Sequence, residues 1–422
     1  MGKIDSKKLK AFKYRIYPNK EQRILFAKTF GCVRFVYNKM LEEKIEFLKN
    51  KQPIPTITPA KYKEEFLFLK EVDSLALMNA QRVLDTAFKN FFRNPQHYGF
   101  PKFKKKKGKQ AYTTNNVNNN IKIDFENELL YLPKIKDGIK IKLHRKFYGR
   151  IVSATITKTL SSNYYVSIVV ELEDEDGRKN KVKEPKNKVC GVDLGLKDFV
   201  VITNDTGIYK IEHPKYLRKA EKRLKRLQRA LSRKQEDSKN FEKARKRLAI
   251  QHEYVSNARN DFLHKLSKAI IDDNQVIVVE DLNVKGIQQN PYLSKSISDS
   301  GFGTFLRYLE YKAQWYGREL IVVNRFYPSS KLCNACGYKY NELKLSDRYW
   351  QCPICGTYHD RDINASINLY KVGMEQPDFK PVEHALVDDR IPSGVPKKPS
   401  CNEAGSRTFY KVGQFTNILS CA

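Results

Sequence analysis

Two Cys-x-x-Cys pairs carry the clearest chemistry in this chain. Cys333 and Cys336 form the first, Cys352 and Cys355 the second, with fifteen residues between them. Each pair makes a tight knuckle and two knuckles complete a tetrahedron, so the spacing reads as a four-thiolate zinc site. Gly337 and Gly356 follow the second cysteine of each pair, where a knuckle turn needs positive φ and glycine supplies it without a Cβ clash. Protein fills all four positions, which makes the ion structural. A redox dithiol accounts for one pair but poorly for two glycine-backed pairs. Three acids stand in unusual settings as well. Asp193 lies inside the apolar run Val189-Cys190-Gly191-Val192-Asp193-Leu194-Gly195, and Glu280 ends Val276-Ile277-Val278-Val279-Glu280. Asp362 follows the last knuckle, in His359-Asp360-Arg361-Asp362-Ile363-Asn364, just before a helical pattern. An aspartate at a helix start is most often a cap. A carboxylate at the end of a buried strand needs a partner, and a metal ion is a common one. Taken singly, each acid leaves both readings open.

The elements that must position these residues belong to a chain of 422 residues, long enough for two to four domains and a sizeable core. Lysine and arginine number 79 against 47 acids, a formal net charge of +32. Such an excess points to a polyanionic partner, nucleic acid above all, with affinity that falls steeply with salt. A solubilising surface or a membrane-surface binder is the bland alternative. No apolar stretch approaches transmembrane length, and there is no signal-peptide or lipidation signature. Eight cysteines, four of them committed to zinc, suit a reducing cytosol. Cys32, Cys190, Cys401 and Cys421 carry no motif.

Along the chain, residues 9–17 alternate apolar and basic residues as a strand does, and Pro18-Asn19 breaks it. Asn19 with Gln22 makes a capping box, followed by a helix to about Leu48 with room for an interruption near Gly31. Helices over Ala60–Lys70 and Leu77–Phe92 follow, their aromatic stripes more suited to core than to base stacking. Lys102, Lys104, Lys105, Lys106 and Lys107, after the Gly99-Phe100-Pro101 turn, suit a phosphate-contacting loop as well as a solvated one. Asn115–Asn120 reads as a polar, irregular edge. From Ile121 to Leu172 the period changes to two, with short strands separated by turns, which suggests a small barrel closed by the first strand. Glu173–Lys188 is a charged linker. Strands at 188–193, 199–203 and 207–211 come next. Two basic helices follow, the first presenting Arg223, Arg226 and Arg229, with backbone contact the favoured use. Then come strand 276–280, a Ser/Gly/Asn-rich loop over 287–303, helix Phe305–Tyr316 and strand Leu320–Val323. An RNase H-like α/β layer accounts for this order and brings Asp193, Glu280 and Asp362 together only in the fold.

From about residue 9 to 372 the chain resembles the TnpB (OrfB) family of insertion sequences, relatives of the compact type V CRISPR nucleases. The stretches that carry the resemblance are Phe12–Leu41, Gly99–Lys107, His144–Ser167, Gly191–Leu196, Asn257–Ser267, Val279–Gly286, and the knuckles running into Asp360-Arg361-Asp362-Ile363-Asn364. The resemblance implies an RNA-guided DNA endonuclease with Asp193, Glu280 and Asp362 as RuvC acids holding magnesium. Asp360 is the weaker candidate, because the family's acid stands two residues before the asparagine. Ser366 stands where alanine is commoner.

The expected fold is multidomain α+β. An RNase H-like (RuvC) nuclease domain spans 187–330 and 359–372, with an inserted four-cysteine zinc ribbon at 331–358. A β-barrel covers 1–18 and 115–186 and carries a helical recognition insertion at 19–114. A tail, 373–422, is rich in proline and expected to be disordered. The expected activity is magnesium-dependent cleavage of double-stranded target DNA beside a short motif. The guide RNA comes from the element's own end and reads sequence by pairing. The expected setting is a prokaryotic cytoplasm, at the nucleoid. A catalytically silent repressor is the first rival, disfavoured by the presence of all three acids. A strand-transfer transposase is the second; its common acid order is Asp, Asp, Glu, whereas here it is Asp, Glu, Asp.

Overall fold

Strand β1 (Leu9–Tyr17) buries Phe12, Tyr14 and Ile16 and turns Lys13 and Arg15 outward, as a period of two requires. It opens the first of two units, residues 1–177 with 242–250; the second comprises 178–241 with 251–422. A computed structural model describes residues 9–172, 184–344, 346–375 and 412–413 of the chain. The capping box forms: Asn19 Oδ1 accepts from the Gln22 amide at 2.9 Å and Gln22 Oε1 from the Asn19 amide at 3.0 Å. Helix α1 (Lys20–Lys49) then runs without interruption through Gly31, because Phe26, Phe30, Val33, Val36, Tyr37, Met40 and Leu41 bury one continuous stripe. That stripe outweighs the roughly 1 kcal/mol that one glycine costs a helix. The single helix expected over 60–70 divides into α2 (Pro59–Glu65) and a 3-10 turn, Leu67–Glu71. Phe66 leaves the helix at the break and joins Phe35 and Phe68 in a ring cluster, with centroids 4.8 Å and 5.4 Å from Phe35. Helix α3 (Ser74–Arg93) completes the insertion, capped by Asp73.

The strands that follow are β2 (Gln110–Asn115), β3 (Lys122–Asp124), β4 (Leu129–Tyr131), β5 (Ile139–Lys142), β6 (Arg150–Lys158) and β7 (Tyr164–Glu171). They join β1 in one antiparallel sheet of order β2-β6-β7-β1-β5-β4-β3. β1 therefore lies in the interior of a sheet whose other strands come from beyond the helices. Strand β2 corrects the reading of this region, which began the sheet at residue 115. Gln-Ala-Tyr-Thr-Thr-Asn is too polar to announce itself, yet it pairs with β6 from Gln110↔Lys158 to Asn115↔Ser153 and buries only Tyr112 and Thr114.

The second unit is built on β8 (Asn187–Leu194), β9 (Asp198–Asn204) and β10 (Gly207–Glu212), then α4 (Tyr216–Ser232), α5 (Lys239–Asp273, apart from residues 242–250) and β11 (Asn274–Glu280). Short α6 (Val284–Gln288), α7 (Pro291–Ser300), α8 (Phe302–Tyr316) and β12 (Glu319–Val323) complete it before the knuckles. Helix α7 replaces the loop expected over 287–303. Asn290 caps it, Pro291 starts it, Ile297 is buried, and Gly301 ends it at φ 71°. The polar residues that suggested a loop are its cap and its tether: Asp299 accepts from the Leu217 amide at 2.9 Å.

The sheet order is β12-β11-β8-β9-β10, with Val412–Gly413 beside β10. β8, β9 and β10 are antiparallel, and β11 and β12 run parallel to β8. Each face has its own cover. Cys190, Val192, Ile277 and Val279 meet Phe262 and Leu266 of α5 and Phe305 and Leu309 of α8. Val189 and Val278 meet Leu369 of α9 (Arg361–Met374), the helix after the knuckles. Gly191 shares that second face, and a Cβ there would collide with the Ser366 carbonyl oxygen and the Tyr370 amide nitrogen. Gly373 is likewise closed in by Val189 and Val278. The helix thus continues to Met374, past the boundary drawn at 372, because its last turn is still packed. Apart from 373–375 and 412–413, the tail lies outside the described residues. Ser366 is inside this helix: fully buried, its Oγ sits 2.7 Å from Thr203 Oγ1 and donates to Ile363 O at 2.8 Å.

Gly191→Ala should therefore force α9 off β8. Overpacking of this kind costs about 1–3 kcal/mol. Chemical unfolding should register it, whereas Gly303→Ala, in helix α8 with open space where a Cβ would stand, should be neutral to slightly stabilising.

Candidate zinc knuckles and acidic site

The knuckles form as the spacing requires. Gly337 N donates to Cys333 O and Gly356 N to Cys352 O, each at 2.9 Å, and both glycines are left-handed at φ 76° and 69°. The four sulfurs lie within 4.8 Å of one another, with Cys333–Cys355 and Cys336–Cys352 each at 3.6 Å. Zinc–sulfur bonds of about 2.3 Å in a tetrahedron put sulfurs about 3.8 Å apart, so the donor set fits zinc. β13 (Tyr349–Gln351) and β14 (Tyr358–Asp360) form a hairpin that holds the second knuckle. His359 was passed over in the sequence. It is buried, with Nε2 3.1 Å from Cys333 Sγ and Nδ1 3.5 Å from Asn334 Nδ2. Burial pushes its pKa down. A neutral ring accepting at Nδ1 would donate from Nε2 to the thiolate, the kind of second contact that orients a metal ligand.

One side of α9 grips the loop before the first knuckle. Asn364 Nδ2 donates to Leu332 O at 2.7 Å, and Asn368 Nδ2 donates to both Ser329 O and Leu332 O at 2.7 Å. Asn364 Oδ1 accepts from the Asn334 amide at 3.0 Å, and Lys371 reaches Asn334 O. Asn364, Asn368 and Lys371 are spaced four and three apart, so they lie on one face of the helix. That spacing was the signal available in the sequence.

The acids converge through the same packing. Gly191 faces α9, so Asp193, two residues on, faces the same side; Val278 faces it too, and so does Glu280. Val279 pairs with Val192, which puts Glu280 beside Asp193 at the ends of adjacent parallel strands. Asp362 is in the first turn of α9. Burial pushes the pKa of Asp193 up to about 8, and the charges of Asp362 and Glu280 add to this, against Arg361. Glu280 is raised by burial, partly offset by Ser329 Oγ, which donates to its Oε2 at 3.3 Å. Arg348, at the foot of the zinc hairpin, brings Nη1 to 3.3 Å and 3.0 Å from the two oxygens of Asp362, and Arg361 Nε lies at 3.4 Å. Among the described residues only the four cysteines bring three or more ligand atoms within 4.8 Å of one another. The acids are gathered at one end of the sheet without being drawn onto a single point.

Asp360 has different duties. Its Oδ1 accepts from the amides of Asp362 and Ile363 at 3.0 Å and 3.2 Å, capping α9, and its Oδ2 takes Lys210 Nζ at 2.6 Å. The cap expected at Asp362 is thus Asp360, and Asp362 is left to face the other acids. Arg348, Lys210 and Ser329 carried no motif, since each acts on an acid far away in sequence.

Lys102, Lys104, Lys105, Lys106 and Lys107 lie in the connection from α3 to β2, all exposed. Lys104 is held: its backbone and Asn38 exchange hydrogen bonds at 2.8 Å and 3.0 Å, and its ammonium lies 3.8 Å from the Tyr37 ring centre. Nearby, Arg34, Lys104, Lys105 and Lys109 rim a cavity of about 340 Å³ with Phe30 and Tyr112 in its wall. Arg223, Arg226 and Arg229 recur every three residues on α4 and are exposed. No described helix is long and apolar enough to cross a membrane.

Three family models match successive parts of the chain. They are described as "Helix-turn-helix domain" over residues 6–52, "Probable transposase" over 167–290 and "Cas12f1-like, TNB domain" over 302–369. In the structure, residues 9–52 hold one strand and one unbroken helix. A protein of Streptomyces pristinaespiralis, provisionally named RNA-guided DNA endonuclease, is 36% identical over 375 residues, covering 86% of this chain and 89% of its own. InsQ of Escherichia coli K12, with the same provisional name, is 28% identical over 421 residues, 94% of this chain and 98% of its own. A solved Cas12f1–sgRNA–target DNA complex aligns with a TM-score of 0.50 at 15% identity over 83% of each chain, which gives a Cas12-like multidomain α/β fold. The chain belongs to the TnpB (OrfB) family.

Two outcomes follow for the site. Elemental analysis should find one zinc per chain, and Cys352→Ser should lose it and open the 331–358 segment to proteolysis. Metal-free protein keeps a proton on Asp193 up to about pH 8, whereas the unfolded chain releases it near 3.9. The folded state is therefore increasingly penalised as pH rises across that window. Asp193→Asn should raise the thermal midpoint of metal-free protein at pH 8 and leave it nearly unchanged at pH 4.

Proposed function

We propose that this chain is an RNA-guided DNA endonuclease of the TnpB type, cutting at Asp193, Glu280 and Asp362 within a RuvC-like domain. One observation carries the reading: adjacent parallel strands bring Asp193 and Glu280 to the start of the helix bearing Asp362. The order β10-β9-β8-β11-β12 supports an RNase H-like layer, three antiparallel strands followed by two parallel to the first. The named activity of the relatives over most of their length supports the substrate.

Three carboxylates gathered on one sheet end, two of them with raised pKa, make a donor set deficient in positive charge, which fits hard divalent cations such as magnesium. Bound there, magnesium supplies an activated water and charge stabilisation on the leaving oxygen. The chain's own residues prepare the place. Asp193 and Glu280 arrive on rigid strands. Arg348 and Arg361 hold Asp362 in orientation, and the Lys210–Asp360 pair anchors the start of its helix. Ser329 fixes one oxygen of Glu280. The exposed lysines at 102 and 104–107 and the arginines at 223, 226 and 229 would contact guide RNA and DNA backbones, with sequence left to base pairing. The first unit's sheet serves as the barrel-like, nucleic-acid-binding domain and α1–α3 as its recognition insertion.

Asp193→Ala, Glu280→Ala and Asp362→Ala, each assembled with guide RNA, should bind a matched target as the parent does and cut it at background level with magnesium. Parent-like cutting by all three would falsify the assignment. Asp360→Asn keeps a good cap and should lose only part of the activity, whereas Asp360→Ala should also cost about 0.5–2 kcal/mol of stability.

A further inference from the structure

The zinc hairpin has two unlike faces. β13 and β14 pair Tyr349 with Asp360, Trp350 with His359, and Gln351 with Tyr358. Trp350 and His359 turn inward, where Trp350 packs with Cys333, Leu343 and Cys352. Tyr349 and Tyr358 turn the other way, 55% and 68% exposed, with ring centres 6.3 Å apart and planes within 8° of parallel. The hairpin has its core in Trp350, and these two rings stand largely outside it. Two large rings exposed side by side on one face leave an apolar surface available to a partner.

The surroundings say which. Arg348 precedes Tyr349 and sits on Asp362. Asp360 lies directly across from Tyr349 and holds Lys210. From Tyr358 to Asp360 is about 7 Å along the strand, at about 3.3 Å per residue. The rings therefore stand at the rim of the acidic site, beside Arg348 and Lys210, each of which is paired with an acid, on a chain of net charge +32. Aromatic rings beside a basic track take unpaired bases, whose faces are free; the faces of bases within a duplex are covered by their neighbours. We propose that Tyr349 and Tyr358 form a stacking platform for unpaired bases of the strand that is cut at the Asp193, Glu280 and Asp362 site. The role of the cut strand rests on the endonuclease reading above. Because every base has a π-face, the platform tolerates any sequence.

The test uses the full chain assembled with its guide RNA. The probes are a fluorescein-labelled oligothymidylate not complementary to the guide, and a duplex of equal length. Anisotropy is read without added magnesium and without a chelator, which would also take the knuckle zinc, so that binding is measured without cleavage. Tyr349→Ala and Tyr358→Ala should each weaken single-strand binding about fivefold or more. Tyr358→Phe should restore it and Tyr358→Leu should not, with duplex affinity, zinc content and thermal midpoint unchanged. Alanine variants that bind as the parent does, leucine equal to tyrosine, or equal losses for single strand and duplex would each overturn the platform. Adding magnesium separates the two readings. A parent with ring-dependent binding that never cuts removes the nuclease and keeps the platform. A parent that cuts with ring-independent binding removes the platform alone.

Discussion

Helix α9 lies so close on β8 that residue 191 has no room for a Cβ, and the acidic site depends on that contact. The same alternation that turns Gly191 toward the helix turns Asp193 toward its first turn. Gly373 repeats the contact at the other end of the helix, against Val189 and Val278. Two glycines twelve strands and helices apart in the chain's order thus set the height of α9 over the sheet. With that height set, Asp362 arrives beside Asp193 and Glu280.

Burying and gathering acids has an electrostatic cost: burial raises the pKa of both Asp193 and Glu280, and the charges of Asp362 and Glu280 raise that of Asp193 further. The structure meets it unevenly. Asp362 has Arg348 and Arg361, Asp360 has Lys210 and two helix amides, and Glu280 has Ser329. Asp193, the most central, has no comparable hydrogen-bond or ion-pair partner among the described residues, and burial raises its pKa to about 8. Positive charge is thus withheld at the point where a divalent cation would be most strongly drawn.

The zinc unit is more than an insertion between β12 and α9. Ser329, at its entrance, is bonded to Glu280 and held by Asn368; Arg348, on its hairpin, is bonded to Asp362. Folding of the knuckles therefore bears directly on two of the three acids. His359 and Trp350, packed with a ring-centre separation of 4.5 Å, tie the hairpin's inner face to the Cys333 sulfur.

Much was legible in the residues. The cysteine spacing announced the knuckles, Asn19 with Gln22 the capping box, and the apolar runs β8 and β11, because these are local patterns with local physical causes. Family motifs pointed to Asp193, Glu280 and Asp362. What sequence left open had non-local causes. Strand β2 exists because β6 offers it a full register, despite its polar composition. Helix α7 exists because Asp299 and Ile297 find tethers and cover elsewhere in the unit. The division of labour between Asp360 and Asp362, two residues apart and chemically alike, was decided by Lys210 and Arg348, which lie about 150 residues upstream and 14 residues upstream. An aspartate's type and spacing state that it can cap a helix or hold a metal. Which it does depends on the charges brought around it, and only the tertiary structure brings them.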